Sequence, residues 1–596
     1  MLHFKKRYIM NKYFLVLVLC FLFTRCNYLD TEPGDVITTD HFWNTASSSA
    51  LEQYCNTYYP KLIKGHGNPL DFTLGDMIQS EYQSDNLLSS SANIVTYGQN
   101  SPLLTSSDWD WSVIRGCNEF INNYERSPAS EIEKKKYAGE ILFFKAFDYF
   151  NKVRLFGDVP WYDNTLNKND PDLYKGRDPR AMVVENIVKT LDLAIEYLSP
   201  LTDVFRVSRN AALLLKARVC LYEGTYRRYR GIEGDVEYLK MAYDAAGILM
   251  TMGHSLYYST ENPKSSYFDL FIQDNYENNP EVILAREYDA TINLGNNISN
   301  AIPGAILGMS RDCFEEYLCA NTGKPISVCG CHNPDMGFIA EMKNRDGRLL
   351  QTLCLPEEGE YARYLFREES NGTVTGGAPN IMGLLIASDG RVFNGTSSTG
   401  YALAKYYKSS EHYQGNHKGS IDAPVMRYAE ALLIRAEAGA ELGEDPELDK
   451  TINALRERAG FVWKLSNTPD EDEDLVSKYP NVTGPNANLI REIRRERRIE
   501  LFAEGFRWDD VCRYNVGEIV YNRERRGAKL DPALYSQDEI EKIENECGVD
   551  ENGFITPYAK RTSFEMNFTS KNYLYNIPIN EVSLNPNLLP QNPGWE

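Results

Sequence analysis

The segment between the first two predicted helical regions, residues 64–108, carries polar and aromatic side chains in a pattern that suits ligand binding. It is rich in Gly, Ser, Asn and Asp, so we expect loops with little regular structure. Aromatic, amide and carboxylate side chains alternate there without helical or strand periodicity. Loops on a rigid scaffold often carry binding groups. The candidate ligand-binding residues in and beside this segment are Tyr82, Asp85, Asn86, Tyr97, Asn100 and Trp109.

These residue types predict one kind of contact, in which an aromatic ring stacks on the apolar face of a sugar and polar groups bond to its hydroxyls. The alternative is that Tyr97 and Trp109 pack against helices while the polar residues form turns. The next candidate region is then 285–335, around Tyr288 and Tyr317. Four other tryptophans lie in or beside apolar helical patterns and are expected in the core: Trp43, Trp111, Trp161 and Trp508.

No familiar catalytic motif occurs in the sequence. The H-E-x-x-H, G-x-S-x-G and phosphate-binding G-x-x-x-x-G-K-[ST] patterns are all absent, and the seven histidines form no metal-ligand pair at helical spacing. The sequence therefore predicts a protein that is not an enzyme and has no cofactor. A glycosidase-like pair of carboxylates remains as an alternative, because such pairs meet only in the fold.

The overall charge argues against nucleic acid as a partner. The chain has 84 acidic and 63 basic residues and a net charge of -21, whereas a nucleic-acid-binding surface is basic. One run of arginines, within Arg491–Arg498, alternates with glutamates at helical spacing. Charges three or four residues apart on a helix form ion pairs. We therefore predict a structural role for this run, with some of its charges buried and paired.

The N-terminus has the pattern of an export signal. Met10, Asn11 and Lys12 precede an apolar run that is too short to span a membrane, and Cys26 follows it. We predict a signal peptide over residues 1–25, acylation of Cys26, and a surface tether over 26–39. The alternative is an ordinary cleaved signal that leaves Cys26 as a plain thiol, which Arg25 favours because lipoprotein processing sites usually have a small residue there.

The cysteines beyond the signal raise a question of disulfides or metal. Of the twelve cysteines, five lie close together in the middle of the chain: Cys313, Cys319, Cys329, Cys331 and Cys354. In an exported protein disulfides are the first expectation, with a connectivity that the sequence leaves open. The run Cys329-Gly330-Cys331-His332 is also typical of half a metal site. It has no partner cluster at the usual spacing.

Hydrophobic periodicity predicts a mainly α protein built from paired helices, like a tetratricopeptide array. The predicted helical scaffold covers about 40–255 and 425–510, with a loop-rich insert over about 256–420 and a loop-rich tail over 515–596. The predicted helices are 40–61, 111–124, 134–156, 181–198, 210–226, 236–252, 425–442, 448–459 and 488–506.

Several blocks of the sequence resemble the SusD/RagB family. In the C-terminal half they are RYAEALLIRAEAGAELG (427–443), INALRERAG (452–460), IRRERRIELFAEGFRWDDVCRY (493–514) and YNIPINEVSLNPNLLPQNPGW (575–595). Earlier blocks are CNYLDTEP (26–33), FWNT (42–45), RLFGDVPW (154–161), RNAALLLKARVCLYEG (209–224) and NRDGRL (344–349). They follow the family's order over almost the whole chain.

This resemblance implies a SusD-like domain over 40–596, on a tetratricopeptide-like α-α superhelical scaffold with a loop-rich, irregular second subdomain. It also implies a lipid-anchored outer-membrane protein of Bacteroidota that binds a glycan, or in some branches a peptide. The implied partner is a SusC-like TonB-dependent transporter. The matched blocks are mostly scaffold, so no binding residue carries over from the family.

Overall fold

The computed structural model describes residues 39–67, 74–302, 306–354, 367–368, 374–375, 397–408, 417–532, 535–561, 563 and 565–596. The predicted signal peptide and Cys26 lie outside these ranges, as does nearly all of the predicted tether. Within them, no helix is both long enough and apolar enough to cross a membrane.

A superhelix of packed α-helices forms the scaffold. Consecutive helices pack in pairs from α3 to α8, and α10 packs on α8. The scaffold helices are α1 (Thr39–Thr45), α2 (Ser48–Asn56), α3 (Ser112–Asn123), α4 (Glu131–Phe156), α5 (Arg180–Tyr197), α6 (Arg209–Arg228), α7 (Asp235–Leu249), α8 (Tyr428–Leu442), α9 (Ile452–Arg458), α10 (Ala487–Glu500) and α11 (Arg507–Tyr514).

Helix α4 lies at the centre of this scaffold for reasons that are visible in the sequence. Ser130 and Glu133 form a capping box at its start, and Gly157 ends it with a φ of 71°. Its side chains are apolar around most of the circumference, and most are buried between α3 and α5. Helices α6 and α7 approach closely because Gly224 has no side chain; a Cβ there would lie 2.7 Å from Leu239 Cγ.

The second part of the molecule, formed mainly by the loop-rich insert predicted over about 256–420 together with residues 74–88, has its own hydrophobic core with short helices and strands. Its two-residue and five-residue strands form antiparallel pairs: β1 (Leu87–Leu88) with β3 (Gly308–Met309), β2 (Val282–Arg286) with β6 (Ala423–Arg427), and β4 (Arg367–Glu368) with β5 (Val374–Thr375). Short helices of this part include Gly75–Glu81, Ser266–Leu270, Arg311–Glu316, Phe338–Met342 and Gly347–Thr352. Further short helices, outside this core, are Glu473–Lys478, Gln537–Glu546 and Ile579–Leu584.

Six predicted helices lie within three residues of the observed bounds at each end, and the other three differ further. The region predicted as one helix over 40–61 is divided, because the side chain of Ser47 accepts a hydrogen bond from the Ala50 amide and starts α2 anew. The helix predicted over 488–506 ends at Glu500, and Ala503 adopts a φ of 61° that turns the chain towards α11. Helix α9 begins only at Ile452, after a turn.

The five arginines of α10 are buried, which confirms their predicted structural role. Four of them form ion pairs within the described residues: Arg494 with Glu441, Arg495 with Glu492 and Asp472, Arg497 with Asp510, and Arg498 with Asp85 and Glu316. The acidic residues of the helix are paired as well. Glu500 accepts hydrogen bonds from Arg427 at 2.8 Å, from Arg458, and from Arg348 at 3.4 Å. Arg427 lies on β6 and Arg348 in the loop-rich part, so these ion pairs join the two parts of the molecule. Breaking a buried pair leaves an uncompensated charge, which is strongly destabilising.

The predicted disulfides are absent among the cysteines that the structure describes. All ten of these cysteines are free thiols, including the five in the middle of the chain. Most of the ten are buried, and Cys220, for example, lies among the apolar residues of the scaffold core, where it behaves as a small hydrophobic residue.

Candidate functional site

Asp85 and Asn86 lie in the interior, where they hold the polar loop against α10. The carboxylate of Asp85 accepts hydrogen bonds from Arg507 at 2.7 and 2.8 Å and from Arg498 at 2.7 Å. Burial raises the pKa of Asp85, but the charges of Arg498 and Arg507 outweigh it and leave the pKa below its ordinary value. Asn86 accepts from Arg498 at 2.7 Å and donates to Glu81 at 3.1 Å. Both side chains are therefore occupied by contacts within the protein.

Tyr82, Tyr97 and Asn100 are also engaged with the protein. Tyr97 is 4% exposed and packs edge-to-face on Tyr558, with ring centroids 6.0 Å apart. Asn100 accepts a hydrogen bond from Asn572 at 2.8 Å, and Tyr82 is half-buried against the second core. Tyr97 and Tyr558 form the floor of an open depression of about 450 Å³, whose rim includes Asn522 and Glu524.

Trp109 has a different position, at the back of a cleft between the scaffold and the C-terminal segment. Its ring makes edge-to-face contacts with Trp111 at 5.5 Å and with Phe156 at 4.9 Å. We call the cavity, of about 360 Å³, the tryptophan cleft. It is lined by Trp109, Asp110, Trp111, Ser112, Ile114, Arg115, Asn118, Pro160, Tyr162, Asn164, Leu166, Leu173, Tyr174, Glu581, Leu584, Asn585 and Leu588.

Aromatic rings line this cleft from its back wall to its mouth. Trp111 is half-buried and meets Tyr162 edge-to-face at 5.5 Å, while Lys152 Nζ lies 5.1 Å from the Trp111 ring. The same ammonium group donates hydrogen bonds to the carbonyl oxygens of Asp108 and Asp110, at 2.9 and 2.6 Å, and so fixes the loop that carries both tryptophans. At the mouth Tyr174 is 57% exposed, which leaves its ring free to stack on a ligand.

Polar groups in the cleft complement the aromatic rings. The amide nitrogen of Asn118 donates to the carbonyl oxygens of Tyr162 and Asn164, at 2.9 and 3.3 Å. Its other polar atom, Oδ1, is buried with no hydrogen-bond partner among the described residues. A buried acceptor without a partner costs free energy, so this atom suits a hydroxyl donor from water or a ligand. Arg115 and Asn164 are exposed at the rim.

Of the six residues predicted from the sequence, Trp109 alone lines the tryptophan cleft. Sequence reasoning missed Tyr162, Tyr174 and Asn118, and it assigned Trp111 to the core because Trp111 falls on the apolar face of α3. A cue was present, since Trp109 and Trp111 flank a polar residue immediately before a helix. The alternative region gives no surface site at its two tyrosines: Tyr288 is 3% exposed and Tyr317 is fully buried.

Comparison with known proteins identifies the family. Residues 280–595 match the model of the SusD family, and residues 27–221 match a second model described as starch-binding associating with outer membrane. Since the first match spans more than half of the chain, the protein belongs to the SusD family, as the resemblance predicted.

Individual relatives are distant but extend over most of the chain. SusD-like protein P2 of Formosa agariphila is 25% identical over 610 residues, covering 98% of this chain and 100% of that protein. Starch-binding protein SusD of Bacteroides thetaiotaomicron is 23% identical over 457 residues, covering 70% of this chain and 73% of that one.

A solved structure confirms the fold class. A SusD-like carbohydrate-binding protein from Bacteroides fragilis superposes with a TM-score of 0.69 at 22% identity, covering 92% of this chain and 100% of that chain. The predicted mainly α, tetratricopeptide-like architecture is thereby confirmed.

Proposed function

We propose that this protein is a non-catalytic lipoprotein of the cell surface that captures an oligosaccharide or polysaccharide and delivers it to a SusC-like TonB-dependent transporter. The tryptophan cleft is the observation that carries the proposal. Its aromatic rings and its unpartnered acceptor suit a sugar, which presents an apolar face and a rim of hydroxyls. Family membership supports the same class of ligand, since one relative is named as starch-binding and one solved relative as carbohydrate-binding.

The binding mechanism follows from the positions of these groups. A sugar ring at the mouth of the cleft stacks on Tyr174, and the next ring reaches Trp111 and Tyr162. Hydroxyl groups donate to Asn118 Oδ1 and accept from Arg115 at the rim. The net charge of -21 favours a neutral glycan over a polyanion, because like charges repel.

The environment of Asp110 in the cleft favours binding over hydrolysis. A glycosidase needs a general acid whose pKa is raised. Burial raises the pKa of Asp110, but hydrogen bonds from the Ser112 hydroxyl and amide outweigh it and hold the pKa below its ordinary value. Asp110 is engaged instead with the first residue of α3, accepting hydrogen bonds from the Ser112 amide at 3.0 Å and the Ser112 hydroxyl at 2.5 Å. Prolonged incubation with the bound oligosaccharide should leave the chains intact, whereas a glycoside hydrolase would shorten them.

Replacing Tyr174 by Ala should weaken glycan binding about tenfold or more, since stacking on an aromatic platform contributes about 1–3 kcal/mol. Isothermal titration calorimetry with the oligosaccharide selected on a glycan array measures this. The melting temperature should barely change, because the ring is 57% exposed. Tyr258→Ala is the matched control, with a ring that is 50% exposed outside the cleft, and it should bind normally.

Three other outcomes of the same titration would redirect the proposal. Unchanged affinity in both Tyr174→Ala and Arg115→Ala would remove the tryptophan cleft as the site. A loss on Tyr97→Ala at an unchanged melting temperature would place the ligand in the Tyr97 depression, within the polar loop predicted from the sequence. Binding of oligopeptides but of no glycan would favour a peptide-binding member of the same fold.

The proposed lipid anchor at Cys26 and the proposed transporter partner can be tested together in the outer membrane of the native cell. Wild-type protein should co-purify under gentle extraction with a much larger β-barrel transporter, and mass spectrometry should find an acylated N-terminus at Cys26. Cys26→Ala should shift the protein to the soluble fraction without unfolding it, because the scaffold begins downstream of the tether. An unmodified N-terminus would refute acylation, and a free monomer with no barrel protein would refute the transporter partnership.

A further inference from the structure

A loop of the second part brings together three side chains that are typical metal ligands. The sulfur atoms of Cys319 and Cys329 and a ring nitrogen of His332 all lie within 4.8 Å of one another. The shortest approach is 3.3 Å, between Cys329 Sγ and His332 Nδ1. The fold thus supplies Cys319 as the partner that the Cys329-Gly330-Cys331-His332 run lacks in the sequence.

The hydrogen bonds around these atoms orient them as ligands. His332 Nε2 lies 2.8 Å from the carbonyl oxygen of Lys343. Because a carbonyl oxygen can only accept a hydrogen bond, Nε2 carries the proton. The lone pair of Nδ1 then faces the sulfur atoms, as in metal-binding histidines whose other nitrogen donates to a carbonyl. The backbone amide of Cys331 also donates to Cys329 Sγ at 3.3 Å, which helps to fix the position of that sulfur atom.

A further cysteine follows in the same run. Cys331 is exposed two residues after Cys329, outside the group of three ligand atoms that lie within 4.8 Å of one another. Gly330 adopts a φ of 69° between the two cysteines, a left-handed conformation that glycine adopts readily and that returns the chain towards the cluster. Three sulfur atoms and one nitrogen form a common donor set of structural zinc sites.

The backbone on both sides of the cluster is fixed by hydrogen bonds. The Cys319 amide donates to the carbonyl of Lys324 at 2.9 Å, and the Ala320 amide donates to that of Asn344 at 2.7 Å. Trp463 Nε1 donates to the carbonyl oxygen of Ala320 at 2.9 Å. Because Cys319 is held in place without any cross-link, little ordering is needed when a metal binds, which favours affinity.

We propose that Cys319, Cys329 and His332 bind one structural Zn²⁺ ion and that the exposed Cys331 turns in as the fourth ligand of a tetrahedral site. Thiolate and imidazole donors select zinc over the hard cations Ca²⁺ and Mg²⁺, which prefer oxygen. On binding, the three thiols release their protons to solvent and His332 coordinates through neutral Nδ1, so no electron transfer is involved. The ion cross-links Cys319 to the 329–332 turn, which the hydrogen bond of His332 holds against the carbonyl of Lys343.

The test is metal analysis of the mature protein, purified with a phosphine reductant and equilibrated with zinc. Inductively coupled plasma mass spectrometry should find about one equivalent of zinc per wild-type protein molecule. Cys329→Ser and His332→Ala should each lower this at least tenfold, while Cys354→Ala, a change in a buried cysteine outside the cluster, should retain it. Replacement of zinc by Co²⁺ should give a thiolate-to-cobalt absorption band in wild type that His332→Ala weakens.

Two results would overturn the zinc site. One is a wild-type protein that is folded by circular dichroism yet holds less than about a tenth of an equivalent of zinc. The other is a disulfide between two of Cys319, Cys329 and Cys331 in protein alkylated directly in cells, since oxidised sulfur cannot serve as a thiolate ligand. The cobalt spectrum of wild type keeps the test valid if a variant fails to fold.

Discussion

Replacing Asp85 by Asn should lower the free energy of unfolding by about 3–5 kcal/mol, the usual effect of breaking a buried ion pair by removing one partner. Asp85 accepts hydrogen bonds from Arg498 and Arg507 in the interior, and an amide removes the charge that compensates both guanidinium groups. Urea denaturation of the mature protein at pH 7, followed by circular dichroism, measures the loss.

The matched control is Asp108→Asn, an exposed carboxylate close to the same loop, which should change stability by less than about 0.5 kcal/mol. The experiment also decides between two roles for Asp85. A ligand-binding carboxylate would leave stability intact and weaken glycan binding when replaced. That result would contradict the structural role and return Asp85 to the candidate binding residues.

Glu500 should make the protein sensitive to acid. Burial raises the pKa of this carboxyl, but the charges of Arg458, Arg427 and Arg348 outweigh it and lower the pKa from 4.5 to about 2. A depressed folded-state pKa contributes stability that is present above about pH 4.5 and is lost as the pH falls towards 2. The contribution is about 3 kcal/mol. Urea midpoints measured between pH 7 and pH 2 should fall accordingly.

Glu500→Gln tests the assignment of this acid sensitivity. At pH 7 the variant should be about 3–5 kcal/mol less stable than wild type, and its stability should decline less between pH 4.5 and pH 2. The exposed Glu237→Gln on α7 serves as the control and should follow the wild-type pH profile. Parallel pH profiles for Glu500→Gln and wild type would show that other carboxylates govern the acid transition.

Local patterns in the sequence were sufficient to predict the scaffold. Helix α4 is readable because its residues are apolar around the circumference, Glu133 lies three residues after Ser130, and Gly157 follows the last turn. The structural role of the arginine run of α10 was correctly predicted from the glutamates interleaved with it, although most of its ion pairs join it to other parts of the chain, such as Arg498 with Asp85 and Arg497 with Asp510. The interactions that define α4, by contrast, lie within that helix and its caps.

Contacts between distant parts of the chain explain what the sequence did not reveal. Asp85 resembles an exposed loop residue until the fold brings it to Arg498, 413 positions away. The periodicity of α3 correctly placed Trp111 on the side facing α4, but it could not reveal that the C-terminal segment leaves a cleft beside that ring. Cys319 likewise meets His332 only because the intervening turns reverse the chain.

The tryptophan cleft has walls from opposite ends of the sequence, and this determines when it can form. Arg177 donates a hydrogen bond to the carbonyl oxygen of Leu588, 411 residues later, and the Leu103 amide donates to Asn576 across 473 residues. Contacts between residues so far apart in the sequence have a high entropic cost of loop closure, and they form late in folding. The helical scaffold can therefore be complete before the cleft exists, so that a ligand bound in the cleft would report on the last step of folding, which helical content does not.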